Sequence, residues 1–231
     1  MRTNVWPLSL RIFHWLLAIG FVSAYFLGGE DDLLHFHVAF GLMAGSLIFL
    51  RLFYGLFGPQ YARFSAFPIG IKNQIEFIRS FFAKTKDYLG HNPLAALTML
   101  AILIVGLTTS ITGFLLFGSK TGIVDIAINH HTLKEIHEVA ANLFLALVLV
   151  HLAGLMTDWY FHKSQKTILS MINGTKNIAG SGYKITAFQK FFGLLWIILP
   201  LFIFFASLQY KKTYQTDKLF KHKHYEEQVE K

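Results

Sequence analysis

The sequence predicts an all-α integral membrane protein, and its composition and charge placement support this class. Hydrophobic residues make up 54% of the 231 positions, and 24 of them are phenylalanine. Several apolar segments reach the roughly 20 residues that a helix needs to cross the hydrocarbon core of a bilayer. The basic residues that give the net charge of +8 cluster between those segments. Membrane topology therefore explains the charge, and binding of nucleic acid is not expected.

The first four predicted spans form a membrane domain over residues 1–175. They cover about residues 8–27, 34–57, 93–117 and 133–161. No small-residue cleavage site follows the first span, so we expect this span to stay in the mature protein rather than act as a signal peptide. Thr132 and Glu135 match a capping box, which predicts the start of the fourth helix.

Two further segments complete the prediction. Between the second and third spans, Ile71, Ile75, Ile78, Phe81 and Phe82 recur at helical spacing, which is typical of an amphipathic helix at a membrane surface. Residues 176–210 are expected to hold a fifth, C-terminal transmembrane helix. Residues 211–231 form a charged tail, which we expect to be solvated or disordered.

Basic residues predict the orientation of the chain. They lie before the first span, between the second and third, and after the fourth, whereas the other connections are sparser in basic residues or acidic. The positive-inside rule therefore places the N-terminus in the cytoplasm and the protein in the bacterial inner membrane as a multi-pass protein.

Five histidines lie inside the predicted spans; His35 lies near the start of the second span, about 200° around the helix from His37, so these two cannot serve one partner. His137 and His151 are fourteen residues apart on one helix, so they share a face and are separated by about 21 Å along the axis. With alternating span directions, His14 lies at the depth of His151, and His37 at the depth of His137. A histidine at such depth needs a hydrogen-bond partner, a water pathway or a metal. The alternative for either histidine alone is an ordinary hydrogen bond between helices.

The two level pairs favour two b-type haems in a four-helix bundle, because such bundles build cofactor sites from side chains on facing helices. The chain has no cysteine, so any haem must be held non-covalently. An iron with both axial positions filled by protein would transfer electrons. Gly41 and Gly45 follow His37 on its own face and would leave room for a flat ligand; the alternative is close packing between helices.

The chain also resembles the bacterial cytochrome b561 and nickel-iron hydrogenase-type cytochrome b family, over roughly residues 4–175. The resemblance rests on V-W-P-L-S-L-R-I-F-H-W, H-V-A-F-G, R-L-F-Y-G-L-F-G-P-Q-Y-A-R-F, G-H-N-P-L-A-A-L, H-E-V-A-A-N and V-H-L-A-G-L. By matching motif, it implies haem-iron ligation by His14, His37, His137 and His151. It also implies electron exchange between a membrane quinone, ubiquinone or menaquinone, and a c-type cytochrome or a hydrogenase or dehydrogenase subunit.

Each haem carries two propionates, which favour nearby cationic side chains. Arg11, Arg51 and Arg63 are the candidates at the cytoplasmic end, with Arg51 first because it shares the helix face of His37. The alternative for each arginine is membrane topology alone.

Three functional hypotheses follow. The first is a diheme cytochrome b subunit of respiratory electron transport, which carries electrons between the quinone pool and a redox partner. The second is a self-contained enzyme, a superoxide:quinone oxidoreductase. The third is a metal-ion or proton transporter that uses intramembrane histidines; it is disfavoured because no Asp or Glu accompanies the histidines at mid-membrane depth.

Overall fold

The computed structural model describes residues 1–29, 31–80, 87–125 and 127–229. The described residues form helices α1 (Leu8–Leu27), α2 (Leu34–Phe57), α3 (Ile71–Ser80), α4 (Pro93–Thr121), α5 (His130–Phe161), α6 (Thr167–Asn173) and α7 (Ala187–Val229). Two short strands, β1 (Thr3–Asn4) and β2 (Thr175–Lys176), pair antiparallel. The all-α class is confirmed.

Among the described residues, five helices are long and apolar enough to cross a membrane: α1, α2, α4, α5 and the Ala187–Gln209 part of α7. Many of their large apolar side chains are exposed, for example Phe26 and Phe202 at 75% and 67%. Such surfaces are expected where a helix contacts lipid rather than water. We call the end of the bundle where α1 and α4 begin, and α2 and α5 finish, the N-terminal end; the other is the distal end.

Helix α2 lies at the centre of the packing, in contact with α1, α4 and α7, while α5 packs against α4. The fifth spanning helix is joined to this core by Trp196, whose side chain has no exposed surface. Its indole Nε1 donates to the Leu47 carbonyl oxygen over 3.0 Å, and its ring stacks on Phe13 with centroids 4.4 Å apart. Helix α7 is therefore an integral part of the bundle.

Local capping decides where α4 and α5 begin and end. The Asn92 side chain accepts a hydrogen bond from the Ala95 amide, 2.8 Å away, and Gly122, in the left-handed region with φ of 72°, ends α4. Helix α4 thus continues past the predicted end at residue 117. For α5, the Asn129 side chain accepts from the His131 amide, so the helix starts at His130. The start predicted from the capping box was wrong, because this earlier asparagine already supplies the cap.

The C-terminal segments differ from the prediction in the charged tail. Residue 176 belongs to β2, which pairs with the N-terminal strand, and within residues 176–210 the fifth helix begins at Ala187. Helix α7 then extends to Val229, which makes the charged tail helical where a solvated or disordered extension was expected.

Helix α3 covers part of the predicted amphipathic segment. Ile71 and Ile78 are 73% and 65% exposed, as expected for an apolar face that lies on a membrane surface. Phe81 and Phe82, which continue the pattern in the sequence, lie outside the described residues.

Candidate functional site

The structure brings the four histidines predicted as haem ligands together as two pairs. His14 of α1 faces His151 of α5 with ring centroids 6.5 Å apart. His37 of α2 faces His137 of α5 with centroids 6.0 Å apart. The first pair lies toward the N-terminal end of the bundle, because His14 is near the start of α1. The second pair lies toward the distal end, because His137 is near the start of α5.

Backbone carbonyl groups orient both rings of the distal pair. His37 Nδ1 lies 2.7 Å from the Ala24 carbonyl oxygen, and His137 Nδ1 lies 2.9 Å from the Thr109 carbonyl oxygen. A carbonyl oxygen can only accept, so in each ring Nδ1 carries the proton. In the neutral ring this leaves the Nε2 lone pair free, which is how metal-bound histidines are usually oriented.

Two glycines make room for these rings. A Cβ atom at Gly113 of α4 would lie 2.8 Å from His137 Cε1, and one at Gly28 would lie 3.1 Å from His37 Nδ1. Ordinary contacts begin near 3.4 Å, so alanine at Gly113 would displace the ring. The sequence pattern connected neither glycine with a histidine, because the contacts join different helices.

A cavity surrounds the other pair. Its volume is about 270 Å³, against the roughly 10–15 Å³ that one water molecule needs. His14, His151, His91, Asp158 and Lys176 all line it. Among the described residues, the buried His14 Nδ1 has no hydrogen-bond partner. The cavity is therefore far larger than one water molecule needs, and it carries polar atoms that a ligand would satisfy.

Both separations fit a metal ion held between two imidazoles. With metal–nitrogen bonds of about 2 Å on opposite sides of the metal, the two ring centroids lie about 6 Å apart. Within the described part of the chain, no group of three or more His, Cys, Asp or Glu residues could hold a metal. Each pair therefore offers a metal ion two facing imidazoles.

The predicted cationic residues differ in placement. Arg51 is 1% exposed; its Nη2 donates to the Ala62 carbonyl oxygen over 2.8 Å, while Nε and Nη1 have no partner among the described residues. Arg11 donates to the Ile172 carbonyl oxygen, and Arg63 is exposed. Arg51 therefore has the buried, unused donors that a carboxylate would take.

Lys176 was not among the predicted site residues, because it lies in a basic segment that membrane topology already explains. Lys176 is 4% exposed, and its Nζ donates to the Tyr88 and Gly90 carbonyl oxygens, each 3.0 Å away. Burial lowers the pKa of Lys176 to about 8, so in most molecules the ammonium group still carries its charge at neutral pH. No local signal marks this residue, because its burial depends on the pairing of β2 with β1.

The two glycines predicted to border a ligand have different neighbours. A Cβ at Gly41 would meet no atom of the described residues within 4 Å, whereas one at Gly45 would lie 2.8 Å from Ser110 Cβ. Gly41 thus borders open space on the His37 face. Gly45 lets α2 and α4 approach closely, which is the packing alternative raised for it above.

A membrane-spanning helical bundle that holds two pairs of facing imidazoles belongs, by its architecture, with the membrane haem proteins. The chain matches the family described as prokaryotic cytochrome b561 over residues 5–174. Because the match covers well over half of the chain, the protein is a member of that family. No curated protein and no solved structure matches the chain.

Family membership confirms the resemblance described above and establishes the general function. The protein is a multi-pass prokaryotic membrane cytochrome that binds b-type haem and takes part in electron transfer. This favours the electron-transfer hypotheses over a metal-ion or proton transporter. Helix α7 lies beyond the matched residues.

Proposed function

We propose that this cytochrome holds two b-type haems and carries electrons across the membrane between the quinone pool and a redox partner. The observation that supports this most directly is that imidazole rings face each other in two pairs. The two ring centroids are 6.5 Å apart in one pair and 6.0 Å apart in the other. Their members on α5 are fourteen residues apart, which corresponds to about 21 Å along the helix. Two cofactors at those depths would lie toward opposite surfaces of the bilayer.

In this proposal His14 and His151 hold one haem, and His37 and His137 hold the other. Each haem, when bound, supplies a one-electron couple of its iron. The chain orients the distal ligands through the Ala24 and Thr109 carbonyl oxygens. With both axial positions filled by protein, no substrate binds the iron, and the site is suited to electron transfer.

Charge placement supports an inner-membrane protein with its N-terminus in the cytoplasm. The N-terminal end carries most of the basic residues, among them Arg63, Lys72 and Arg79, whereas Asp125, Glu135 and Glu138 lie at the distal end. The positive-inside rule then assigns the N-terminal end to the cytoplasm. We propose ubiquinone or menaquinone as the membrane substrate, and a c-type cytochrome or a hydrogenase or dehydrogenase subunit as the partner.

The decisive experiment is a dithionite-reduced minus air-oxidised spectrum of the detergent-solubilised protein, with haem extracted and counted per chain. We expect two low-spin b-type components, and single replacement of His37 or His151 should remove one component each. A well-folded protein with clearly fewer than two haems per chain would refute the diheme proposal.

The same preparation separates the two redox hypotheses. If the purified protein reduces a quinone with superoxide as donor and without any partner, it is a self-contained oxidoreductase. If electrons reach quinone only when a partner subunit or cytochrome is added, it is an electron-transfer subunit.

A further inference from the structure

Lys176 is a buried cation that forms no direct ion pair with any described residue. Among the residues whose side chains the structure describes, no carboxylate forms an ion pair with its ammonium group. Its two acceptors, the Tyr88 and Gly90 carbonyl oxygens, are neutral. Burying a charge is costly unless an opposite charge lies close to it. The Asp158 carboxylate partly offsets the effect of burial on the pKa of Lys176, but it forms no ion pair with the ammonium group, so the place of a direct anionic partner is still open to a ligand.

The position of this charge indicates which anion it would serve. Lys176 lines the same cavity as His14 and His151. Asp158 also lines the cavity; one of its carboxylate oxygens lies 3.5 Å from His162 Nδ1 at the end of α5, and the buried Oδ2 has no hydrogen-bond partner among the described residues. A ligand that spans the cavity from the histidine pair to Lys176 would need a negative group at the lysine end.

The fold holds Lys176 in place by long-range contacts. Thr3 is the register partner of Lys176 in the β1–β2 ribbon, and the Gly174 carbonyl oxygen accepts hydrogen bonds from the Val5 and Trp6 amides. The ammonium group also lies 5.9 Å from the centroid of the Trp6 ring, within the range of a cation–π interaction. Because the β1–β2 pairing and Trp6 hold Lys176 in place, its side chain is preorganised to bind rather than free to turn toward solvent.

We propose that the Lys176 ammonium binds a propionate carboxylate of the haem held by His14 and His151. The inference rests on the proposed function, and it adds a residue beyond the arginines predicted from the sequence. A charge-assisted hydrogen bond to the carboxylate would supply the missing counter-charge. Lys176 is in this sense a cofactor-binding residue that acts on one of the two haem sites only.

Three variants test the role of the charge. Lys176→Gln keeps a hydrogen-bond donor for the neighbouring carbonyl groups and removes the charge, whereas Lys176→Arg keeps the charge. Lys184→Gln is the matched control, because Lys184 lies in the same connection and is exposed. The readout is a redox titration of both haem components, and the component lost in a His151→Ala variant identifies the site at the N-terminal end.

We expect Lys176→Gln to lower the midpoint potential of the His14–His151 component and to leave the other component unchanged. Loss of a nearby positive charge favours the oxidised, more positive iron. Lys176→Arg and Lys184→Gln should titrate like the wild type. Equal potentials in Lys176→Gln and wild type, with both haems present, would overturn the inference while the proposed function stands. A wild-type protein without two haems would overturn the proposed function itself.

A second measurement covers the case in which Lys176→Gln fails to accumulate. Wild-type protein produced in haem-deficient cells is loaded in membranes with haem or with its dimethyl ester, which lacks the negative carboxylates. We expect the ester to occupy the His14–His151 site less completely than haem does. Equal occupancy of that site by both compounds would contradict a carboxylate bound to Lys176.

Discussion

Replacing Gly113 by alanine should remove one haem without unfolding the protein. In a helix interior, alanine in place of glycine is ordinarily stabilising by about 0.5–1 kcal/mol. Here the added Cβ would lie 2.8 Å from His137 Cε1. The ring must therefore move away by about 0.6 Å to reach an ordinary van der Waals distance.

That displacement is large for a metal ligand. Ligand distances in metal sites are normally held within about 0.2 Å, so a shift of about 0.6 Å is more than the His37–His137 site can absorb by bond stretching alone. The ring is also tied to the Thr109 carbonyl oxygen over 2.9 Å, which limits how it can turn. We therefore expect loss of low-spin haem at this site, while the His14–His151 component stays.

The assay is haem extraction and a reduced-minus-oxidised spectrum of purified Gly113→Ala protein, expressed with adequate haem supply. Thr108→Ala is the matched control, because Thr108 lies on the same helix with its side chain exposed. It should retain the wild-type haem content. If Gly113→Ala keeps both low-spin components at unchanged potentials, the argument that Gly113 makes room for a ligating His137 is refuted.

Three further predictions follow from the same structure. Gly41→Leu places a side chain in the open space on the His37 face, where a haem held by His37 and His137 would lie. The protein should therefore accumulate normally in membranes while the haem extracted per chain falls. Trp196→Ala removes a fully buried ring and should cost about 3–5 kcal/mol in unfolding free energy. Trp196→Phe should cost only about 1 kcal/mol, for the lost hydrogen bond to the Leu47 carbonyl oxygen. Thermal unfolding in detergent distinguishes the two variants. Burial lowers the pKa of His91 from 6.5 to about 3, so the folded chain binds fewer protons than the unfolded chain between those pH values and loses stability as pH falls from 6.5. Thermal scans should show a steeper loss for the wild type than for His91→Gln as pH falls from about 7 to about 4, and parallel curves would contradict this role of His91.

The sequence by itself determined the class and the family of this protein. Apolar segments of spanning length impose helices, since only a helix satisfies its own backbone hydrogen bonds in lipid. The family motifs lie in contiguous stretches that the sequence shows directly. The helical repeat places His137 and His151 on one face of α5, because that relation depends only on local geometry.

Only the tertiary structure decided what surrounds those histidines. The Thr109 carbonyl oxygen and Gly113 of α4 position His137, although α4 itself carries no histidine. A main-chain oxygen leaves no signature in a sequence, and the sequence shows the glycine at position 113 without showing which side chain it accommodates. The sequence placed Arg51 first among the cationic candidates by its helix face alone, whereas the fold shows that Arg51 is buried with unused donors and that Arg63 is exposed.

Lys176 shows most clearly the difference between what the sequence determines and what the tertiary structure decides. In the sequence it is one basic residue among several in a connecting segment, and the positive-inside rule explains all of them equally well. Its burial beside the histidine cavity arises because residues 3–4 pair with residues 175–176 across most of the chain length. Contacts between such distant segments are set by the packing of the whole bundle, and local sequence patterns report only on neighbours within a few turns.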